Sequence, residues 1–554
     1  MSAPRWQLRR DYLPGQAPWK SLQMAFGLSA QAAKLAWSRG EDTEESLAWR
    51  LRPEWNRTFD PYLLTGMDRA VARIRQAIRD GERIVIYGDY DVDGVTATAL
   101  LVRVLEKLGV QAEYFIPNRF NDGYGLHGDC IRELGEKGPG LFISVDCGVR
   151  SVEEVKLSGE LGIQWIITDH HALGAELPEA EAVLHPALGD APNAALAGVG
   201  VAFKLAQALL DAVPNPKPSD QPFLDGLLKL VALGTIADVA SLTGENALLV
   251  KRGLQAMGGG NGPGLSELLK AARIEGIPRA LEIGFGVAPR LNAVGRMGGA
   301  EAAVRLLLTR DPQEAKALAA EVERLNAERK AVQEALLREL PPPDGAAFDL
   351  ALQENAHKGV LGIVAAHRMR ETDRPTGVGT VVDGVAHCSL RAPDGYDLTE
   401  LLTLAQPFLR SGGGHRFAAG MTFDAARTPF VRQALIQGAK GQAAHRQTVP
   451  LWIDGTVEDL PSPEELLALE PFGKDFAPVA LRLEGRLESA PVIFGQGHGK
   501  LRLSGCPGEI VWFNGADTLQ SLPLGAMVNL LASPIDHPRW GRSWRLEALL
   551  EPRS

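Results

Sequence analysis

Three aspartates at alternate positions, Asp89, Asp91 and Asp93, follow directly on the β-branched run Arg83-Ile-Val-Ile-Tyr-Gly88 and are closed by Gly94. Carboxylates packed this closely behind a buried strand repel one another unless a cation neutralises them. The same spacing opens an EF-hand, but that loop needs a bidentate Glu six positions after its glycine, where this chain has Leu100, and here a strand precedes the aspartates. Downstream, a helical period over Gly94–Leu108 is followed by strand-like runs at Gln111–Ile116, Leu141–Val145 and Gln164–Thr168. Short buried strands alternating with helices predict an α/β fold with a parallel sheet. In such sheets functional groups gather past the carboxyl ends of the strands, and two further ends carry Asp146-Cys-Gly148 and Asp169-His-His171. One rim of one sheet thus supplies at least five carboxylates and two imidazoles. Hard oxygen ligands mixed with imidazole suit Mn²⁺ or Mg²⁺. Two such ions about 3.5 to 4 Å apart, bridged by a carboxylate, are the usual device for hydrolysing a phosphodiester.

Charge supports a concentrated cation site. Between Ile86 and Asp190 there are 18 Asp and Glu against 7 Lys and Arg, whereas the whole chain has 68 against 58, so the remainder is close to neutral. A protein of this charge does not coat nucleic acid by bulk attraction and must bind it locally. The four cysteines, Cys130, Cys147, Cys388 and Cys506, are too scattered for a disulfide framework or a thiolate metal site, which suits a reducing cytoplasm. Neither an export signal nor a run of 18 apolar residues is found, so no membrane association is expected.

At roughly 100 to 200 residues per domain, 554 residues imply three or more domains. A helical, Trp-rich element over residues 1–55 (Trp6, Trp19, Trp37, Trp49, Trp55) is expected to pack on the first domain, residues 56–310. Residues 311–343 hold a long amphipathic helix, with Leu318, Val322, Leu325, Val332 and Leu336 near one face, ended by Pro341-Pro-Pro343. It is expected to connect the first domain rigidly to a smaller mixed α/β domain over 344–445. Residues 446–554 alternate apolar and polar short strands between Gly and Pro turns, the pattern of a β-barrel such as an OB-fold.

The motifs Asp89-Tyr-Asp-Val-Asp-Gly94, Asp146-Cys-Gly148, Asp169-His-His171 and Gly234-Thr-Ile-Ala-Asp238 resemble, in order and interval, those of the DHH phosphoesterase superfamily. Ala288-Pro-Arg-Leu-Asn-Ala-Val-Gly-Arg296, His357–Ala366, Ser389-Leu-Arg391, Gly412-Gly-Gly-His415 and Leu469-Glu-Pro-Phe-Gly473 resemble its RecJ branch of bacterial single-strand exonucleases. The resemblance implies a DHH catalytic domain, a DHHA1 domain and an OB-fold. It also implies that Asp91, Asp93, Asp146, His170 and Asp238 ligate two Mn²⁺ or Mg²⁺ ions, with Asp146 bridging. Asp89 would lie beside the ions, and His171 would contact the scissile phosphate.

The second domain makes independent sense as a phosphate reader. Glycines Gly412, Gly413 and Gly414 let backbone amides approach an anion, and Ser389, Arg391 and His415 add side-chain donors. Arg290, Asn292 and Arg296 are candidates for backbone contacts, although an arginine there equally suits an ion pair. In the last domain Trp452, Trp512, Phe513, Trp540 and Trp544 accompany Lys500, Arg502, Arg539, Arg542 and Arg545, the mixture that single-strand surfaces use, with about half of the aromatics expected in the core.

The expected function is therefore metal-dependent 5′→3′ degradation of single-stranded DNA to 5′-mononucleotides in repair and recombination. The resemblance implies a cytoplasmic monomer acting beside a single-strand binding protein and a helicase. Some members of the branch continue into a further C-terminal domain. Two other readings are an oligoribonuclease or cyclic-dinucleotide phosphodiesterase of the same superfamily, which the barrel-like module disfavours, and a replication scaffold without activity, which the complete ligand set disfavours.

Overall fold

The structure, a computed structural model, describes residues 6–10, 16–118, 125–211, 217, 219–444, 451–495, 497–506, 508–513, 515–537 and 541–550. A five-stranded, all-parallel sheet organises the first half, in the order Glu113–Phe115, Ile84–Tyr87, Gly140–Val145, Ile163–Thr168, Ala182–Leu184. Its three inner strands are largely buried on both faces, which is why they read as continuous apolar runs. Ile84, Ile86, Leu141, Ile143 and Ile166 face one core, and Val85, Tyr87, Phe142, Trp165 and Ile167 face the other, alternating with the pleat. The chain order reverses between Ile84–Tyr87 and its neighbour Gly140–Val145. Such a switch point opens a crevice at the carboxyl ends of those strands, and Asp89, Asp91 and Asp146 follow them.

The helix Pro312–Glu339 is N-capped by Asp311, whose carboxylate accepts from the Gln313 amide at 2.9 Å. Its first turns bury Ala315, Leu318, Val322 and Leu325 in the core of the first unit. Its last turns bury Leu336 and Leu340 against Val360, Val364 and Val378 of the next. One helix is thus an integral part of two cores. The second unit is a five-stranded sheet ordered Ser411–His415, Ala418–Asp424, Val385–Arg391, Thr376–Val382, Asp349–Glu354, with helix Lys358–Thr372 packed on it.

The last unit is a barrel. Leu481–Arg486, Met527–His537, Gly541–Leu549, Ile510–Trp512 and His498–Leu501 pair in that order. Closure comes from Leu487 bridging Leu503, with the Ser504 amide on the Arg486 carbonyl at 2.9 Å and the Glu488 amide on the Arg502 carbonyl at 3.1 Å. The boundary expected at 445/446 lies outside the described residues.

One expectation is corrected. The N-terminal helices Lys20–Phe26, Ala30–Ser38 and Glu44–Leu51 do not pack on the first unit alone. Trp19, Leu22, Leu35, Trp37 and Leu47 share a core with Leu469, Phe476, Leu483 and Leu530 of the barrel and its leading loop, while Trp49 and Trp55 join the core of the first unit. The strand Trp6–Leu8 also pairs with Leu451–Ile453. Tryptophan spacing reveals that a segment is apolar but not which of two cores receives it.

Candidate metal centre

Asp91 caps the helix Val92–Lys107: its Oδ1 accepts from the amides of Asp93 at 2.9 Å and Gly94 at 3.2 Å. Gly94 is there for space, since a Cβ would stand 2.6 Å from the Asp89 nitrogen and oxygen. In the first turn, Asp93 is 1 % exposed, and its carboxylate accepts from the Gly198 amide at 2.7 Å and the Val199 amide at 2.9 Å. These amides open the helix Gly198–Leu209, whose dipole favours a negative charge at that end. The Val92 amide donates to Asn292 Oδ1 at 3.3 Å, tying the aspartate loop to the helix Ala288–Met297.

Asp146 follows the next strand with φ 62°, a left-handed conformation that Asp tolerates and that turns its carboxylate into the crevice. Asp146 Oδ1 lies 3.1 Å from His170 Nε2 and 3.8 Å from His171 Nδ1. His170 Nε2 is 3.7 Å from Asp93 Oδ2, and its Nδ1 is 4.0 Å from Asp238 Oδ2. Among the described residues, three sets each bring their donor atoms within 4.8 Å: Asp89, Asp91 and Asp146; Asp146, His170 and His171; Asp93, His170 and Asp238. Asp146 and His170 each belong to two sets, so neighbouring cation positions share ligands. Both Asp146 Oδ1 and His170 Nε2 are buried without a hydrogen-bond partner. Such atoms are costly unless something coordinates them, and oxygen with imidazole fits Mn²⁺ or Mg²⁺.

Electrostatics agree. Burial, with the charge of Asp238, pushes Asp93 up to about 7, and burial with Asp91 pushes Asp238 up to about 7. Burial and the neighbouring carboxylates raise Asp146 well above the usual carboxylate range, while burial lowers His170. These acids start from 3.8. Between about pH 4 and 7 the unfolded chain therefore releases protons that the folded chain keeps, so the metal-free fold loses stability as pH rises through that window. Thermal melts in chelator are expected to fall from pH 4 to pH 7 and then level, with Mn²⁺ restoring the loss at the alkaline end. A chelated melting temperature that rises across the window would contradict the clustered carboxylates.

Asp169 has a different task. Its Oδ1 accepts from the His170 amide at 2.7 Å, the His171 amide at 3.1 Å and His171 Nδ1 at 2.8 Å, and its Oδ2 from the Val149 amide at 3.0 Å. Burial opposes its charge, but these donors hold it below the ordinary carboxylate range, and in return Asp169 raises His171 against its own burial. It orients His171 through Nδ1.

In the second unit, cross-strand register puts Ser389 beside Gly420 and Gly413, and Arg391 beside Ala418 and His415. Ser389, Gly413, Arg391 and His415 thus share one sheet face. The strand Ser411–His415 is a fully exposed edge, and nothing stands within 4 Å of where a Gly413 Cβ would be, so an anion can reach the backbone. Gly414 has φ 146°, and a Cβ there would meet the Ala418 oxygen at 2.5 Å. Burial lowers His415, and the charges of Arg391, His171 and Arg150 lower it further.

Of the two uses that the sequence leaves open for Arg290, the structure shows an ion pair: it pairs with Glu323 of the long helix and donates to the carbonyls of Gly286 at 2.5 Å and Ala271 at 3.1 Å. Asn292 braces the aspartate loop. Arg296 donates to the Gly359 carbonyl at 3.4 Å, joining the two units at the cleft. The barrel aromatics divide. Trp544 is buried and Trp512 half-buried, whereas Phe494, His498 and Phe513 form a row with ring separations of 5.8 and 5.4 Å, and Phe494 and Phe513 are exposed. Lys500 and Arg502 both pair with Glu509, and Arg545 with Glu547. Arg539 and Trp540, and the side chains of Trp6 and Arg542, lie outside the described residues. Sequence reasoning missed Gly198, whose Cβ would stand 2.6 Å from Asp146 Oδ1. Glycine carries no chemistry of its own, and no motif marked this one.

Comparison with known proteins places the family model "DHH family, N-terminal domain" on residues 83–235 and the DHHA1 domain on 345–441. The single-stranded-DNA-specific exonuclease RecJ of Bacillus subtilis is 40% identical over 85% of this chain and 60% of its own length. That of Thermus thermophilus is 37% identical over 90% of this chain and 72% of its own. The crystal structure of the Thermus protein with Mn²⁺ aligns at TM-score 0.82 and 33% identity over 99% of this chain and 80% of that one, and its Mg²⁺ complex at 0.77. This chain thus spans about 60% of the Bacillus protein.

Proposed function

The chain belongs to the RecJ family of single-stranded-DNA-specific exonucleases, and from that premise we propose that it removes 5′-mononucleotides successively from the 5′ end of single-stranded DNA, in repair and recombination. Two Mn²⁺ or Mg²⁺ ions would be held by Asp91, Asp93, Asp146, His170 and Asp238, with Asp89 as a further ligand and Asp146 shared; when bound they supply Lewis acidity toward the phosphodiester and its attacking water. The observation that carries this reading is the pair of buried, unsatisfied atoms Asp146 Oδ1 and His170 Nε2 at the meeting point of the donor sets.

The chain's own groups do the rest. Asp169 holds the proton on His171 Nδ1, and His171 presents its other nitrogen to the scissile phosphate, where positive charge is most useful as negative charge builds. Across the cleft, Ser389, Arg391, the Gly413 and Gly414 amides and His415 take the terminal phosphate and fix how much strand passes the centre, which makes the product a mononucleotide. Arg296 and the long helix hold the two walls at a separation suited to one backbone, so that a duplex is refused sterically. In this reading the enzyme works as a cytoplasmic monomer beside a single-strand binding protein and a helicase, a setting that rests on family resemblance. No helix among the described residues is long and apolar enough to cross a membrane.

Digestion of 5′- and 3′-labelled DNA, single-stranded and duplex, with and without Mn²⁺, tests the proposal. A 5′ label is expected to appear at once as mononucleotide, only with metal and only from single strands, while the 3′ label stays in shortening strands. Early mononucleotide from the 3′ label would reverse the polarity.

A further inference from the structure

His185 is the first residue past the edge strand Ala182–Leu184, and it is 2% exposed. It belongs to none of the three donor sets of the metal centre. Its two ring nitrogens nevertheless have different and well-placed partners. The Ala187 amide lies 3.0 Å from Nδ1, and the His171 carbonyl lies 2.7 Å from Nε2. An amide N–H can only donate, and a carbonyl oxygen can only accept. One tautomer satisfies both contacts, a ring that accepts at Nδ1 and carries its proton on Nε2.

The contact on His171 continues the sheet by other means. The strands Ile163–Thr168 and Ala182–Leu184 run parallel, and the Asp169 amide adds a ladder bond to the Leu184 carbonyl at 3.1 Å. The next donor on the edge strand would be the amide of residue 186, and Pro186 has none. His185 supplies a donor from its ring instead and meets the neighbouring chain at His171. The segment Asp169–His171 is thereby tied at both ends to the end of the edge strand. Within it, Asp169 Oδ1 takes His171 Nδ1 at 2.8 Å. Asp169 sets the rotation of the His171 ring, and His185 sets where the backbone that bears it stands.

We propose that His185 is a positioning residue for phosphodiester cleavage: through the His171 carbonyl it fixes the distance between the His171 imidazole and the scissile phosphate. This assignment rests on the exonuclease reading, in which His171 meets that phosphate. His185 is itself buried away from the substrate, so its loss leaves the donors on the Ser389–His415 face in place. It acts on the reaction by displacement, and a shift of about 1 Å is enough to slow a reaction by up to about 100-fold.

The test uses full-length protein with His185→Leu and His185→Gln. Leucine removes both nitrogens, whereas glutamine lacks the acceptor for Ala187 but places an amide donor where Nε2 stood. With Mn²⁺ and single-stranded oligothymidylate, His185→Leu is expected to lower kcat by about tenfold or more, leaving KM within about twofold of the natural value. His185→Gln should recover most of that rate. If His185 merely closes the turn to Ala187, the two variants lack that bond alike and turn over alike. Equal losses in both, or a loss carried by KM, would overturn the proposal. Should His185→Leu not fold, His185→Gln decides alone: a kcat near the natural value upholds the tie to His171, and a tenfold loss removes it. A second measurement does not depend on hydrolysis. In chelator, the imidazole nitrogen signals of ¹⁵N-histidine-labelled protein, with His171 identified by its disappearance in His171→Ala, should show the His171 resonances displaced in His185→Leu and restored in His185→Gln. Unmoved His171 resonances in His185→Leu would refute the positioning role. Absence of hydrolysis by the unaltered protein would strike the exonuclease reading instead.

Discussion

Asp146→Asn is expected to lower Mn²⁺-dependent hydrolysis of single-stranded DNA by about 10³-fold or more, while raising the melting temperature of the chelated protein near pH 8. Both effects come from one carboxylate. Asp146 stands in two of the three donor sets, so its loss empties a ligand position on each side of the centre at once. Asn matches its size and keeps one oxygen, which spares the left-handed turn at φ 62°. The stability effect has the opposite sign because Asp146 is 1% exposed and crowded by Asp93, Asp91 and Asp89, so its charge is a burden on the metal-free fold. Mn²⁺ should then stabilise the variant less than the natural protein, because the ligand gain is smaller. A variant that is inactive but melts lower in chelator would point to a structural role. One that keeps full activity would remove Asp146 from the centre.

That carboxylates alone can locate this site in the sequence follows from the topology. Parallel strands end on one rim, so Asp89–Asp93, Asp146 and Asp169–His171, 82 residues apart from first to last, converge wherever their preceding runs are buried side by side. Apolar runs are easy to recognise, and the residue after each run inherits its place. What stays illegible depends on partners far along the chain. Arg290 suits a substrate contact and an ion pair equally in the sequence, and its partner Glu323 lies on another helix. Arg329 looks like one more charged residue on an amphipathic helix, and only its 9% exposure separates it from the solvated face. Gly198 lends an amide to Asp93 from 105 residues away, and glycine carries no chemical signature. The N-terminal tryptophans declare burial, and their division between two cores is decided by the barrel that returns to meet them.

That return is held by Arg50, and Arg50→Ala is expected to destabilise the protein by about 3 to 5 kcal/mol, the scale of breaking a buried ion pair from one side. Arg50 is fully buried. Its Nε donates to Glu41 Oε1 at 2.6 Å, its Nη1 to the Pro471 carbonyl at 3.0 Å and its Nη2 to the Leu242 carbonyl at 2.5 Å, and its guanidinium lies 3.3 Å from the Phe476 ring centre. One side chain therefore binds the N-terminal helices, the barrel's leading loop and the segment just after Asp238. Alanine would strand the Glu41 carboxylate at 5% exposure and leave the carbonyls without a donor. Because the chain has several cores, the loss should appear first as local opening: faster proteolysis between residues 463 and 480, before the first unit unfolds. Arg50→Lys keeps the charge but not the planar fork, so it should recover only part of the loss. The discriminating variant is Glu41→Gln combined with Arg50→Met, which removes both charges and keeps an apolar contact for Phe476. It should be more stable than Arg50→Ala, because the main penalty is the abandoned carboxylate. If the double variant is the weaker of the two, the abandoned Glu41 carboxylate is not the main penalty of Arg50→Ala.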